Sequence, residues 1–179
     1  MYKKSFLILF AALLSISGFA QSLTPSGTDS KISFVIKNMG VNVDGSLTGL
    51  KGKMSFDPKK LSASQFDVTV DANTINTDNK RRDDHLKKDD FFDVAKYPTI
   101  GIKTTGIQAK GNNVYFAKAV LTMHGVSKNI QFDFVATPVQ GGYNFKAEFS
   151  VDRKEYGVGG NSMTMGDNVK VSLDVVGKK

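Results

Sequence analysis

The 179-residue chain has no cysteine, no tryptophan and only two histidines, His85 and His124. Without cysteine there can be no disulfide, no thiolate metal site, no cysteine nucleophile and no acylated lipoprotein anchor. The two histidines form no HxxxH pair. Zinc usually takes three or four protein ligands, so carboxylates would have to complete any metal site, and no metal is expected. There is no GxSxG nucleophile elbow. No apolar run reaches the roughly 20 residues of a membrane-spanning helix. No basic run is interleaved with aromatics, so nucleic acid is not an expected partner.

The chain opens MYKKSFLILFAALLSISGFAQS. Lys3 and Lys4 form a basic start, Phe6 to Leu14 a short apolar run, and Gly18 and Ala20 a small-residue cleavage site before Gln21. This is the pattern of a cleavable secretory signal over residues 1–20. Removing those 20 residues from 179 leaves 159, a length that suits one domain over residues 21–179. With Lys3 and Lys4 set aside, 22 basic residues face 17 acidic ones, a net charge of +5 spread along the chain. That excess allows transient attraction to an anionic membrane surface. An exported chain without disulfides must be held by its core.

Apolar residues alternate along much of the sequence. Ile32, Phe34 and Ile36 share one parity, as do Phe66, Val68, Val70 and Ala72. Ile130, Phe132, Phe134 and Ala136 repeat the pattern, then Tyr143, Phe145, Ala147, Phe149 and Val151, then Val169, Val171, Leu173 and Val175. Period-two alternation predicts strands with one apolar and one wet face, the habit of antiparallel sheet. Between Val114 and Met123, the uncharged parity of Tyr115, Ala117, Ala119, Leu121 and Met123 is expected to face inward. From Val43 to Phe56 the phase changes between Leu47 and Leu50, predicting a bulge near Gly49. About eight strands joined by short turns predict an all-β fold. The long strands and glycine-assisted bends favour an antiparallel β-barrel over a sandwich. Eight-stranded barrels are either filled by side chains or hold one small ligand.

One segment breaks the pattern: RRDDHLKKDDFFDVAKYP, residues 81–98. Asp89, four residues after His85, would share its helical face and could pair with it for general base catalysis. No nucleophile stands at a recognisable spacing, and a charge-rich segment is usually a solvated face. The alternative is a short helical cap near residues 80–93. Asp78 or Asn79 would cap its start, and Asp83 and Asp84 would sit in its first turn. Lys87 and Lys88 would sit in its last turn. Leu86, Phe91 and Phe92 would then pack on the barrel mouth while the charges face water.

Several separated stretches together resemble the YceI-like family of exported, lipocalin-like proteins. They are TDSKISFVIKNMG, GLKGKMSFDP, HLKKDDFFDVAKYPTI, LTMHGVSKNIQF, and DRKEYGVGG followed by MGDNVKVSLDV. They fall in the family's order between about residues 28 and 177. Ser127 stands where threonine is commoner, and the tryptophan usual near the family's start is absent, with Leu23 or Thr28 in that region. The resemblance implies a lipocalin-like barrel, a periplasmic location and an interior that holds a polyisoprenoid or isoprenoid-quinone tail. It implies no catalytic residues and no cofactor beyond that bound lipid.

The expected function is therefore a carrier for an apolar lipid chain. Each CH₂ moved out of water contributes roughly 0.8 kcal/mol. The expected wall residues are Phe34, Ile36, Val68, Val70, Leu121, Met123, Phe132, Phe134, Phe145, Phe149, Val171 and Leu173. Leu86, Phe91 and Phe92 would gate the mouth. Tyr143, Arg153 and Tyr156 are candidates for a head group, and residues 157–168 read as a flexible loop. Two other readings remain open at this point: an enzyme acting on lipid through His85 or His124, and a filled, structural barrel. Exposed strand edges would permit a dimer if the barrel were open.

Overall fold

Residues 21–179 are described by the computed structural model, so the segment read as a secretory signal lies outside the described residues. The alternating stretches form nine strands: β1 (Gln21–Pro25), β2 (Lys31–Asn38), β3 (Val41–Phe56), β4 (Gln65–Asn76), β5 (Thr99–Gly111), β6 (Val114–Met123), β7 (Val126–Val139), β8 (Gly142–Asp152) and β9 (Met165–Lys178). One α-helix, α1 (Lys80–Leu86), lies between β4 and β5. The sheet order is β1-β3-β2-β9-β8-β7-β6-β5-β4, and pairing of β3 with β4 closes it into an antiparallel barrel.

Nine strands make eight staves because β1 and β2 share one. The β1 strand pairs with the Met54–Phe56 end of β3 and with Gly177 and Lys178 of β9. The β2 strand continues along the same two neighbours, from Leu47 to Val41 on β3 and from Asp174 to Met165 on β9. Sequence reasoning missed β1, which is only five residues long, has Leu23 as its one large apolar side chain and ends at Pro25.

The phase change in β3 is realised as expected. Register shifts fall between Ser46 and Lys51, and both Leu47 and Leu50 end buried although they lie on opposite parities. Gly52 shows why glycine is needed here. Its φ is 133°, and a Cβ would collide with the carbonyl oxygen of Asp67 on the neighbouring strand. A second irregularity, not foreseen, lies at Thr104 on β5, where the register shifts. The buried Thr104 hydroxyl accepts the Phe66 backbone N–H at 2.8 Å and so replaces a ladder bond.

The barrel has two unlike ends. At the lower end β5–β6 and β7–β8 are joined by two-residue turns, Asn112–Asn113 and Gln140–Gly141. Positive φ at both asparagines (52° and 62°) fits the turn type that matches strand twist. The interior there is full of rings. Phe56, 1% exposed, has Tyr143, Tyr115 and Phe145 at 5.0, 5.2 and 5.3 Å between centroids. Phe66 and Phe134 each lie 6.2 Å from it. At the upper end the long connections 77–98 and 153–164 fold over the opening.

Candidate functional site

Above the aromatic layer the barrel holds a cavity of about 190 Å³; the unfilled space between its walls, opening included, is about 1330 Å³. Its wall is apolar. Nine of the twelve residues expected there line it: Phe34, Ile36, Val68, Val70, Leu121, Met123, Phe149, Val171 and Leu173. Three do not. Phe134 and Phe145 belong to the aromatic layer, 6.2 Å from each other and each within 5.6 Å of Phe66. Phe132 stacks on Phe149 at 4.9 Å and sits behind it. They share the inward parity of the true wall residues, but lie lower along the barrel axis or behind another ring.

The cap residues Leu86, Phe91 and Phe92 all line the cavity. The helix expected to carry all three is shorter than the sequence suggested and holds only Leu86: it spans Lys80–Leu86, capped by Asn79, whose side-chain oxygen accepts from the Arg82 N–H at 3.1 Å. Beyond it the chain turns tightly through 97, with Phe92 N–H donating to the Leu86 carbonyl and Val94 N–H to that of Lys87. Because the helix stops, His85 pairs not with Asp89 but with Asp90, at 2.8 Å and with both side chains more than half exposed. His124 sits in the β6–β7 turn with φ of 50°, its Nδ1 3.0 Å from the Tyr156 carbonyl and its ring edge-on to Tyr97. Neither histidine lines the cavity. No metal-binding cluster of three His, Cys, Asp or Glu occurs among the described residues.

Of the three head-group candidates only Arg153 borders the cavity. Tyr143 packs on Phe56 in the lower layer. Tyr156 is buried among Leu121, Met123, Val151 and Val158, and burial raises its phenol pKa. Arg153 borders the cavity, but its guanidinium is taken up by the protein itself. It donates to the carbonyls of Val158, Gly160, Met165 and Gly166 and to Asp167, at 2.7–3.3 Å, and is 3% exposed. Its ionic partner is thus Asp167. This one side chain ties both ends of the 157–168 segment, which is therefore a fastened loop with an exposed tip at Met163. The loop also joins the cap, because Gly159 N–H donates to the Asp90 carbonyl at 2.9 Å.

Several lining residues were missed, among them the apolar Ile32, Leu50, Ile100, Ile102 and Val169. The charged one is Arg82, read as a solvated charge, which borders the cavity beside Thr77 and Leu86. Its Nε donates to the Thr77 hydroxyl at 2.7 Å and its Nη2 to the Thr77 carbonyl at 2.6 Å. Asp83 accepts from the Thr77 N–H and hydroxyl at 2.9 and 2.5 Å. The only sequence signal was position: Arg82 and Leu86 lie four residues apart, on one helical face.

A closed antiparallel barrel with an apolar chamber under a helical lid defines a lipocalin-like cavity protein. More narrowly, the chain belongs to the YceI-like domain family, whose model matches residues 23–177. A UPF0312 protein of Vibrio cholerae is 32% identical over 125 residues, 67% of this chain and 66% of that one, so the chain spans about two thirds of that relative's length. A UPF0312 protein of Shewanella denitrificans is 29% identical over 86% of this chain and 84% of its own. Among solved structures, BcnA of Burkholderia cenocepacia superposes with a TM-score of 0.80 at 22% identity, over 84% of this chain and 98% of that one. A polyisoprenoid binding domain from Saccharophagus degradans superposes with a TM-score of 0.71 at 16% identity, over 87% and 97%. At those identities the two structures establish the shared fold.

Proposed function

We propose that the protein binds the chain of an apolar lipid, a polyisoprenoid or isoprenoid-quinone tail, in the upper half of the barrel. It does so as an exported, periplasmic carrier and not as an enzyme. The observation that carries this reading is the apolar chamber, walled by aliphatic side chains and lidded by Leu86, Phe91 and Phe92. Such a space favours a chain through burial alone, at roughly 0.8 kcal/mol per CH₂. Membership of the YceI-like family, and a fold shared with a polyisoprenoid binding domain, support the choice of an isoprenoid. The secretory pattern of residues 1–20 supports export, and the net charge of +5 over the remainder supports brief contact with anionic membranes during loading.

The test is native mass spectrometry of protein taken from a periplasmic extract, followed by solvent extraction of whatever it releases. A near-stoichiometric isoprenoid or quinone is expected. A bare mass, unchanged after incubation with isoprenoids, overturns the reading. Sequencing of the same protein's N-terminus should begin at Gln21; a start at Met1 overturns cleavage at that site.

A further inference from the structure

We propose that the bound lipid carries an anionic head group, a phosphate or a carboxylate, and that Arg82, backed by Arg81 and Lys88, holds it at the outer face of the cap. This rests on the lipid-chain reading above and specifies the polar end of the same ligand.

Arg82 is the one residue common to two spaces. It borders the apolar cavity, and it also borders a shallow depression on the outside of α1, lined with it by Asn79, Lys80, Arg81, Asp84, His85 and Lys88. A chain lying in the cavity and leaving past Arg82 emerges among these cations. The guanidinium is held from behind by the buried Thr77, which takes two of its five N–H donors. The other three, both hydrogens of Nη1 included, have no partner among the described residues. Among those residues Arg82 also forms no ion pair. A fixed guanidinium fork with unused donors, set against apolar surface, matches a phosphate or carboxylate oxygen pair.

Of the nearby acids, Asp84 pairs with Lys80 at 3.2 Å and Asp90 with His85 at 2.8 Å, Asp83 shares the Thr77 hydroxyl with Arg82, and Asp89 does not line the depression. Arg81 and Lys88 form no ion pair among the described residues. Lys80, Arg81, Arg82 and Lys88 line the depression against one carboxylate, Asp84, which leaves a surplus of positive charge where the head group would emerge. A neutral alcohol or quinone head would use none of it.

The experiment is calorimetric titration of the purified protein with farnesyl phosphate, farnesol and inorganic phosphate at low salt, for the natural sequence and for Arg82→Met. Methionine keeps an apolar stem in the wall and removes the fork. Farnesyl phosphate should bind at least roughly tenfold more tightly than farnesol, and Arg82→Met should lower that ratio by about tenfold, the usual scale for charge-assisted hydrogen bonds. Inorganic phosphate alone should show no comparable affinity. Equal binding of farnesol and farnesyl phosphate overturns the anionic head but leaves the chain reading standing. Failure of both to bind overturns the two together. Inorganic phosphate binding as tightly as farnesyl phosphate makes the depression an anion site unconnected to the chain, and overturns the proposal. Should Arg82→Met not fold, the double variant Arg81→Ala/Lys88→Ala tests the same ratio from the surface side. Its expected loss is roughly threefold and shrinks with added salt; an unchanged ratio overturns the proposal.

Discussion

In the lower half of the barrel the inward positions are held by Phe56, Phe66, Tyr115, Phe134 and Phe145; in the upper half most are aliphatic, Val68, Val70, Val169, Val171 and Leu121 among them. Both sets obey the same alternation and both are apolar. The difference is girth. The lower rings meet edge to face at 5–6 Å, as at Phe56 and Phe145, whereas the aliphatic side chains above are shorter, and the two strand rings that line the chamber lie against their neighbours, Phe34 over Gly45 and Phe149 on Phe132. Two-residue turns occur at both ends, but the longest connections, 77–98 and 153–164, both lie over the empty one. Stability is concentrated below and capacity above.

That contrast can be broken most forcefully from below. Phe56→Ala removes a ring touched by five others and should cost about 3–5 kcal/mol in urea unfolding, whereas Val171→Ala, bordering existing free space, should cost about 1 kcal/mol. Equal costs would mean that the two halves share one core. Arg153→Met ranks next. It strips four carbonyls and Asp167 of their donor and should cost about 3 kcal/mol, with loss of amide protection over residues 157–168 ahead of the barrel strands. Val171→Phe sharpens the contrast from above: a ring placed in the chamber should abolish lipid capture in the native-mass assay while changing stability by about 1 kcal/mol or less. His85→Ala removes an exposed pair and an edge contact to Phe91 and should shift stability by about 1 kcal/mol or less.

A small pH effect belongs to the outer wall of the lower half. Asp174 has its pKa lowered below 3.8, first by the hydrogen bond from Asn144 and then by Lys146. A lowered native pKa stabilises the fold above about pH 4 and loses that contribution as pH falls through the native value. Asn144→Ala should therefore flatten the acid limb of the stability profile, by less than about 1 kcal/mol because the carboxylate is half-exposed.

Much of this architecture was legible in the sequence, because alternation is a local signal and each strand carries its own. The bulge in β3 was visible as a phase slip between Leu47 and Leu50. The cap was visible as a break in alternation that carried Leu86, Phe91 and Phe92. What stayed hidden depends on height along the barrel, which no single strand encodes. Phe134 and Phe145 have the parity of wall residues, and only their register against Phe66 and Phe56 places them in the filled layer. Arg153 and Arg82 were misjudged for a related reason. One was expected to meet a head group and is consumed by carbonyls 5–13 residues ahead in the chain; the other was taken for a solvated charge and borders the chamber. A charged residue's task is set by which acceptors the fold brings near it.

The stave shared by β1 and β2 has a consequence in time. Its neighbour β9 is the last of the described strands, so the seam joins strands from opposite ends of the described chain. The Val176 N–H donates to the Ser30 hydroxyl across 146 positions, and Lys178 pairs with Asp29. A ribosome delivers these partners far apart in time. Without the 14 residues of β9, β2 and β8 lack the neighbour that joins them, and both would present bare edges. The barrel therefore cannot close until β9 is in place.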